Sequence, residues 1–386
     1  MSSPIDSTLA QSLSWNLKIW TFLGMEVMED KKRSLVKITL SIIIWVFVIF
    51  YYPLSILAWI FKQRNLKDII ETMTMLFTLL VVIIKSIFII VKMQNIRQLL
   101  KISRDFDTTV VKPSEKQILK DYLSYNRKYF NFFGFCFCGC LIPGGISMFF
   151  YKNKRPQYPA YFPYDWKKDN AIYIATLLFQ YCSWCTTAIF NLTYDTYPPM
   201  LMDLVSRYLE ILCSRTEKIG INPEISQKDS EFLLKKCIYH HRYILKFYRL
   251  TQDTISIPMF CQLLITALNL VNLITLMIFF SESIFQTISY VFIAMVYILQ
   301  IVMSCYYGSV FETYIEKQRQ SVYFCNWYEQ SHSFKRSLII FAEYSIRDHS
   351  FIAGGLLILS LNTFLRIMRN TFSLMSVFNN LKHQFV

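Results

Sequence analysis

Long apolar runs separated by shorter polar stretches dominate the chain. Six of them, residues 35–61, 69–91, 129–150, 171–194, 255–280 and 284–311, reach the roughly 20 residues needed to cross a bilayer core. A seventh segment, 355–382, has the length but carries Arg366, Arg369, Asn362, Asn370, Asn379 and Asn380. The pattern predicts an all-α polytopic membrane protein with seven transmembrane helices and no internal repeat. The polar stretches are themselves periodic. Segments 92–128 and 208–248 repeat apolar residues at helical spacing, as in Leu209, Leu212 and Cys213, then Leu233, Leu234, Cys237 and Ile238. They read as membrane helices continuing into the cytosol. Tyr197-Pro198-Pro199 is expected to break the fourth helix near its inner end. Segment 334–349 reads as an amphipathic anchor helix, with Phe334, Leu338, Ile339, Ala342 and Ile346 on one face. The implied modules are a six-helix bundle (1–311), a linker with the anchor helix (312–350) and a terminal helix (351–386).

Composition sharpens this picture. The chain is 54% hydrophobic and 17% aromatic, against about 45–50% apolar in soluble domains. A net charge of +14 is spread between the apolar runs, which suits membrane flanks and gives no basic face for nucleic acid. Placing the N-terminus in the cytoplasm puts 26 Lys and Arg inside and 9 outside, so the expected orientation is N-terminus cytoplasmic and C-terminus extracellular. G-protein-coupled receptors run the other way. No cysteine falls in an expected external loop, so no structural disulfide is expected. Cys182-x-x-Cys185 lies in an apolar helix without a second half-site, and the five histidines have no ligand spacing. No metal, no cofactor and no enzymatic motif is expected.

What remains is a binding architecture. The loop 151–170 holds three prolines, five cations and, between Gln157 and Trp166, five aromatics, and should fold over the bundle as a lid. Below it, Met73, Phe77, Leu80, Phe135, Ile142, Ile146, Tyr173, Leu177, Gln180, Tyr290 and Ala294 are the candidate lining of a pocket in the outer half of the bundle. Such a lining suits a small, neutral, mostly hydrophobic ligand, held by burial of apolar area at about 25 cal/mol per Å². Lys85 either snorkels or forms a buried ion pair. Asp195, at a helix end, reads as a solvated acid, and Asn191-Leu192-Thr193 is a glycosylation sequon discounted by its place inside a span.

The seventh segment is too polar for lipid, because a charge at mid-bilayer costs about 2.5–3.5 kcal/mol. At helical spacing Arg366, Arg369, Asn370, Ser373, Ser376 or Val377, and Asn380 fall on one stripe. One such helix cannot enclose a pore, but several copies around an axis can. The narrow part would lie at Val377 and Leu381, four apart on one face, where an apolar ring gates by dewetting.

The C-terminal third carries a spaced set of short motifs: Cys305-Tyr306-Tyr307-Gly308, Ser321-Val322-Tyr323, Asn326-Trp327-Tyr328-Glu329, Phe334-Lys335-Arg336, Ser360-Leu361-Asn362-Thr363-Phe364 and Arg369-Asn370-Thr371-Phe372-Ser373. In these the chain resembles insect odorant receptors, and the span number, orientation and length extend the resemblance over the whole chain. The resemblance implies an odorant-gated, non-selective cation channel subunit in the plasma membrane of a sensory neuron. It implies a heterotetramer with a shared coreceptor, a small volatile ligand and permeant cations. It also implies a pore lined by the last helix, with the gate at Val377 and Leu381, the polar pore residue at Asn380, and Arg366 and Arg369 in a wet vestibule. The coreceptor's long insertion before the fifth span is missing, so the chain looks like an odour-tuning subunit. Two alternatives stand beside it. One is a gustatory-type receptor channel, suggested by Thr371-Phe372 and the final Gln384-Phe385 at the wrong spacing; the other is a seven-helix G-protein-coupled receptor.

Overall fold

The computed structural model describes residues 7–25, 35–62, 66–147, 156, 158–222, 224–280, 283–345 and 349–385. Two short helices, α1 (Thr8–Ser12) and α2 (Ser14–Phe22), precede the first span. That span is α3 (Leu35–Ile44), a π-helical stretch (Trp45–Tyr51) and α4 (Tyr52–Ile60). The π stretch ends beside Pro53, which has no N–H to give to the Ile49 carbonyl, so the helix widens where its bonding is interrupted. Then follow α5 (Leu66–Val91), α6 (Met93–Asp107), α7 (Pro113–Ser147), α8 (Asn170–Glu217), α9 (Gln227–Phe279), α10 (Ile284–Phe324), α11 (His332–Ser345), the hairpin β1 (Ile352–Ala353) and β2 (Leu357–Ile358), and α12 (Leu361–Phe385).

Among the described residues, six helical stretches are long and apolar enough to cross a membrane, and they coincide with the six runs of the sequence. The seventh is α12, whose 25 residues rise about 37 Å at 1.5 Å each. It starts later than the expected 355, because residues 352–358 form the hairpin instead. Gly354 and Gly355, at φ +60° and +71°, supply the left-handed turn that a side chain would resist.

The helices α8, α9 and α10 contain 48, 53 and 41 residues. At about 60–80 Å they exceed a 30 Å bilayer core twofold. Their surplus packs with α1, α2, α6 and α11 around one large core that includes Trp20, Leu99, Phe106, Tyr208, Phe247 and Phe334. We call this the anchor end, and the end carrying the 156–169 loop the lid end. Serine caps start three of these elements: Ser7, Ser226 and Ser283 accept from Ala10, Asp229 and Gln286 backbone N–H groups.

Pro198 and Pro199 do not break the fourth helix: α8 runs unbroken through both. The residues from Thr193 to Ser206 are all buried, so packing on every side holds the helical path against the proline preference. The buttress is α2, where Asn16 Nδ2 donates to the Thr193 carbonyl at 2.7 Å and Trp20 meets Tyr197 edge-on with centroids 5.3 Å apart.

The anchor end is tied by polar groups as well. Arg215 forks onto Glu115 at 2.8 and 2.7 Å and also reaches the Thr109 carbonyl at 2.9 Å. Asp107 takes the Thr8 backbone N–H at 2.6 Å and the Tyr208 hydroxyl at 3.1 Å. Burial nevertheless holds its carboxyl above the usual carboxylate range. The motif Asn326–Glu329 closes the same end: Asn326 Nδ2 donates to the Gly220 carbonyl at 3.0 Å and to Glu329 at 2.7 Å.

Candidate ligand cavity and terminal helix

A cavity of about 70 Å³ lies inside the membrane bundle, toward the lid end. By the same measure one ordered water needs on the order of 10–15 Å³, so the space suits a few heavy-atom groups. It is walled by five helices and the lid. Helix α5 presents Glu71, Thr74, Met75 and Thr78, spaced as one helical stripe. Helix α7 gives Phe137 and Cys140, and α9 gives Leu273 and Leu276. Helix α8 gives Trp184, Thr187, Ala188 and Asn191, and α10 gives Tyr290, Ile293, Val296, Tyr297 and Gln300. Tyr158 comes from the lid.

The lid is fastened by named contacts. Gln180 Nε2 donates to the Tyr158 carbonyl at 2.8 Å, and the Tyr161 N–H to the Ser55 carbonyl at 3.0 Å. Trp166 stacks on Tyr173 with centroids 6.1 Å apart, and Tyr158 meets Trp184 edge-on at 5.9 Å. Ala160 and Phe162 are buried against Tyr52 and Leu79.

Most polar atoms around the cavity are already engaged. Thr74 and Thr187 donate back to the Ile70 and Ser183 carbonyls. Thr78 shares a hydrogen bond with the Tyr297 hydroxyl at 3.0 Å and accepts from Asn269 at 3.2 Å. Gln300 accepts from Thr266 at 3.1 Å and donates to Asp195 at 2.6 Å. Asp195 is also paired with Lys85 and accepts from Gln262 at 3.1 Å. Lys85 and Asp195 are both buried, so the lysine does not snorkel. Asp195 is not the solvated acid expected from its place in the sequence: α8 continues for about six turns beyond it, and the residue is buried. One network thus joins α5, α8, α9 and α10, and Gln300 is its member on the cavity wall.

The residues singled out in the sequence fall in three groups. Tyr290 lines the cavity. Tyr173 and Gln180 hold the lid; Leu177 lies half-buried on the lining face of α8, and Ala294 half-buried about 95° around α10 from its lining residues, neither reaching the space. Met73, Phe77 and Leu80 lie about 145° around α5 from the lining stripe, and Phe135, Ile142 and Ile146 about 170° around α7 from Phe137 and Cys140. Leu80, Phe135, Ile142 and Ile146 are exposed on the outer surface of the bundle. An aliphatic face is equally suited to lipid and to an apolar pocket, so hydrophobicity alone does not distinguish them. The usable signal is polar: Glu71, Thr74 and Thr78 interrupt an apolar span on one stripe, which lipid disfavours. The α9 wall, Leu273 and Leu276, carries no such warning; Asn191 carries the same polar signal inside its span, where the sequence reads only as a discounted sequon.

Helix α12 packs by Thr363, Phe364, Ile367, Met368 and Thr371. Asn362, Arg366, Arg369, Asn370, Ser373 and Ser376 are exposed, centred about 160° from the packed face. The side chains of Val377, Asn380 and Leu381 lie outside the described residues. Gly308 sets the seat of this helix: a methyl there would overlap the Leu359 carbonyl oxygen. Ser309 Oγ accepts from the Leu361 N–H at 3.0 Å, and the strand before the turn is clasped to α9 by Gln252 Nε2 donating to the Ile352 carbonyl at 2.6 Å and by Ser256 at 2.9 Å.

The architecture and the sequence were compared with known proteins. The family model described as 7tm Odorant receptor matches residues 65–372. The chain belongs to the 7tm odorant receptor family. It is 24% identical over 376 residues to odorant receptor 59a of Drosophila melanogaster, covering 93% of this chain and 94% of the relative. It is 25% identical over 378 residues to odorant receptor 2a of the same fly, covering 94% and 95%. The fold matches the insect olfactory receptor OR5 of Machilis hrabei, solved in complex with eugenol, at a TM-score of 0.81 and 12% identity, covering 95% of this chain and 98% of that one. The receptor is therefore a multi-pass protein of the plasma membrane with the seven-helix insect receptor fold, in a family of receptors and not of enzymes.

Proposed function

We propose that this receptor is the odour-tuning subunit of an odorant-gated, non-selective cation channel. A small volatile enters the cavity below the lid and favours an arrangement in which the terminal helices splay apart. The ligand shifts that equilibrium only by its differential affinity for the two arrangements. The observation that carries the reading is α12, which packs by one face and turns Asn362, Arg366, Arg369, Asn370, Ser373 and Ser376 away from the bundle. A stripe with two arginines is costly against lipid and suits a water-filled axis shared by several copies. Val377 and Leu381 then form the gate, Asn380 is the polar pore residue, and Arg366 and Arg369 line the vestibule.

The cavity supports the other half of the reading, since it is small, mostly apolar and covered by a lid. The orientation is N-terminus cytoplasmic, supported by the 26 to 9 distribution of Lys and Arg. In that orientation the anchor end is cytosolic and carries the contacts to a coreceptor in a heterotetramer. The fold relative solved with eugenol supports a ligand of that size class. The test is co-expression with a coreceptor and recording of currents during a volatile panel. Odour-evoked cation current is expected; its absence, while a control receptor responds in the same cells, contradicts the proposal. An antibody tag on the C-terminus should be reachable on intact cells.

A further inference from the structure

Asn191 lines the cavity and is 5% exposed. Among the described residues nothing donates to or accepts from its carboxamide, unlike Gln300, Thr78, Tyr297, Thr74 and Thr187 on the same walls. Its sequon partner Thr193 is fully buried, so the motif is not a glycan acceptor in this fold. A buried amide without a partner is destabilising, and a ligand that supplies the missing bond removes that penalty only while it is bound. We propose that Asn191 is the polar recognition residue of the receptor, and that its ligands are small apolar molecules with one neutral oxygen function, a carbonyl or a hydroxyl. The inference rests on the cavity being the odorant site.

The chemistry follows from the amide itself. Its N–H₂ donates to a carbonyl or hydroxyl oxygen, and its oxygen accepts from a hydroxyl. The neighbouring Ala188, Leu273, Leu276 and Ile293 have no polar side-chain atom, so the rest of the ligand is hydrocarbon. A site built to hydrogen-bond one oxygen rejects the analogue lacking it far better than an apolar pocket tells methylenes apart. Glu71 on the α5 wall is engaged elsewhere in the protein, so no cationic group is required of the ligand.

The test uses matched pairs on the receptor co-expressed with a coreceptor: 2-heptanone against heptane, 1-hexanol against hexane, acetophenone against ethylbenzene. In the unmodified receptor, the oxygenated member of a responding pair should act at a concentration on the order of 10- to 100-fold lower than its hydrocarbon. In Asn191→Leu the ratio should fall to about 1 through loss of the oxygenated response, with the hydrocarbon response kept or improved. Equal potency within every pair in the unmodified receptor overturns the inference, and so does an unchanged ratio in Asn191→Leu. If that variant fails to reach the surface, Asn191→Val and the unmodified ratio decide. Thermal shift of the purified receptor with the same pairs separates the two claims. Oxygen-selective stabilisation without current contradicts the channel proposal and keeps this one; stabilisation by neither member of any pair overturns this one.

Discussion

Lys85→Met should be among the most destabilising substitutions in the membrane bundle. It leaves Asp195 buried with only Gln262 and Gln300 as partners. Stranding one member of a buried ion pair costs about 3–5 kcal/mol, a large share of the 5–15 kcal/mol that holds a typical protein together. Asp195→Asn strands the lysine cation and should cost a similar amount. Lys85→Met combined with Asp195→Asn removes both charges and keeps an amide at 195 for the two glutamines. That double variant should recover to within about 2 kcal/mol of the unmodified receptor, because an uncharged replacement of a buried pair is often neutral. The assay is thermal unfolding of detergent-purified protein, followed by size-exclusion fluorescence after heating, for all four members of the cycle. Singles that melt with the unmodified receptor, or a double variant as unstable as the two singles added, would refute the buried network.

Other outcomes follow from the same contacts. Gly308→Ala should lower odour-evoked current at equal surface expression, since the methyl overlaps the Leu359 carbonyl at the start of α12; overpacking of this kind costs about 1–3 kcal/mol. Gln180→Leu removes the bond to the lid at Tyr158 and should raise half-maximal ligand concentration about 3- to 10-fold while leaving surface expression alone. Asp107→Asn should hold or raise the melting temperature at neutral pH. The native Asp107 has its pKa raised by burial, so its charged form disfavours the fold above that pKa; the advantage of the asparagine should fade as pH falls toward the unfolded-state value.

The spans were legible because membrane crossing is set by length and apolarity, which a linear sequence displays directly. The facing of those spans was legible only in part. On α8 and α10 the aromatic and amide residues Tyr173, Gln180 and Tyr290 point to the inner side. On α5 and α7 the aliphatic choices Leu80, Ile142 and Ile146 turned out to face outward, since lipid and pocket reward the same side chains. Lys85 meets Asp195 across 110 residues, a distance over which no local pattern reports pairing. The helices α1 and α2 are too short for periodicity to show, although Leu9, Leu13 and Trp20 are buried in the core. Pro198-Pro199 signalled a break that the surrounding packing suppresses, and Gly354-Gly355 signalled a turn that the apolar neighbours 356–359 concealed.

The central claim is that α12 turns its hydrophilic side to water shared with neighbouring copies. The direct measurement is cysteine substitution at Asn370, Ser373 and Ser376, with buried Thr371 as the control, each exposed to a charged aqueous thiol reagent during odour application. The account predicts modification and loss of current at the first three beyond the background of the unmodified receptor, and no change at Thr371→Cys. Unreactive positions 370, 373 and 376, with conductance untouched, would contradict it.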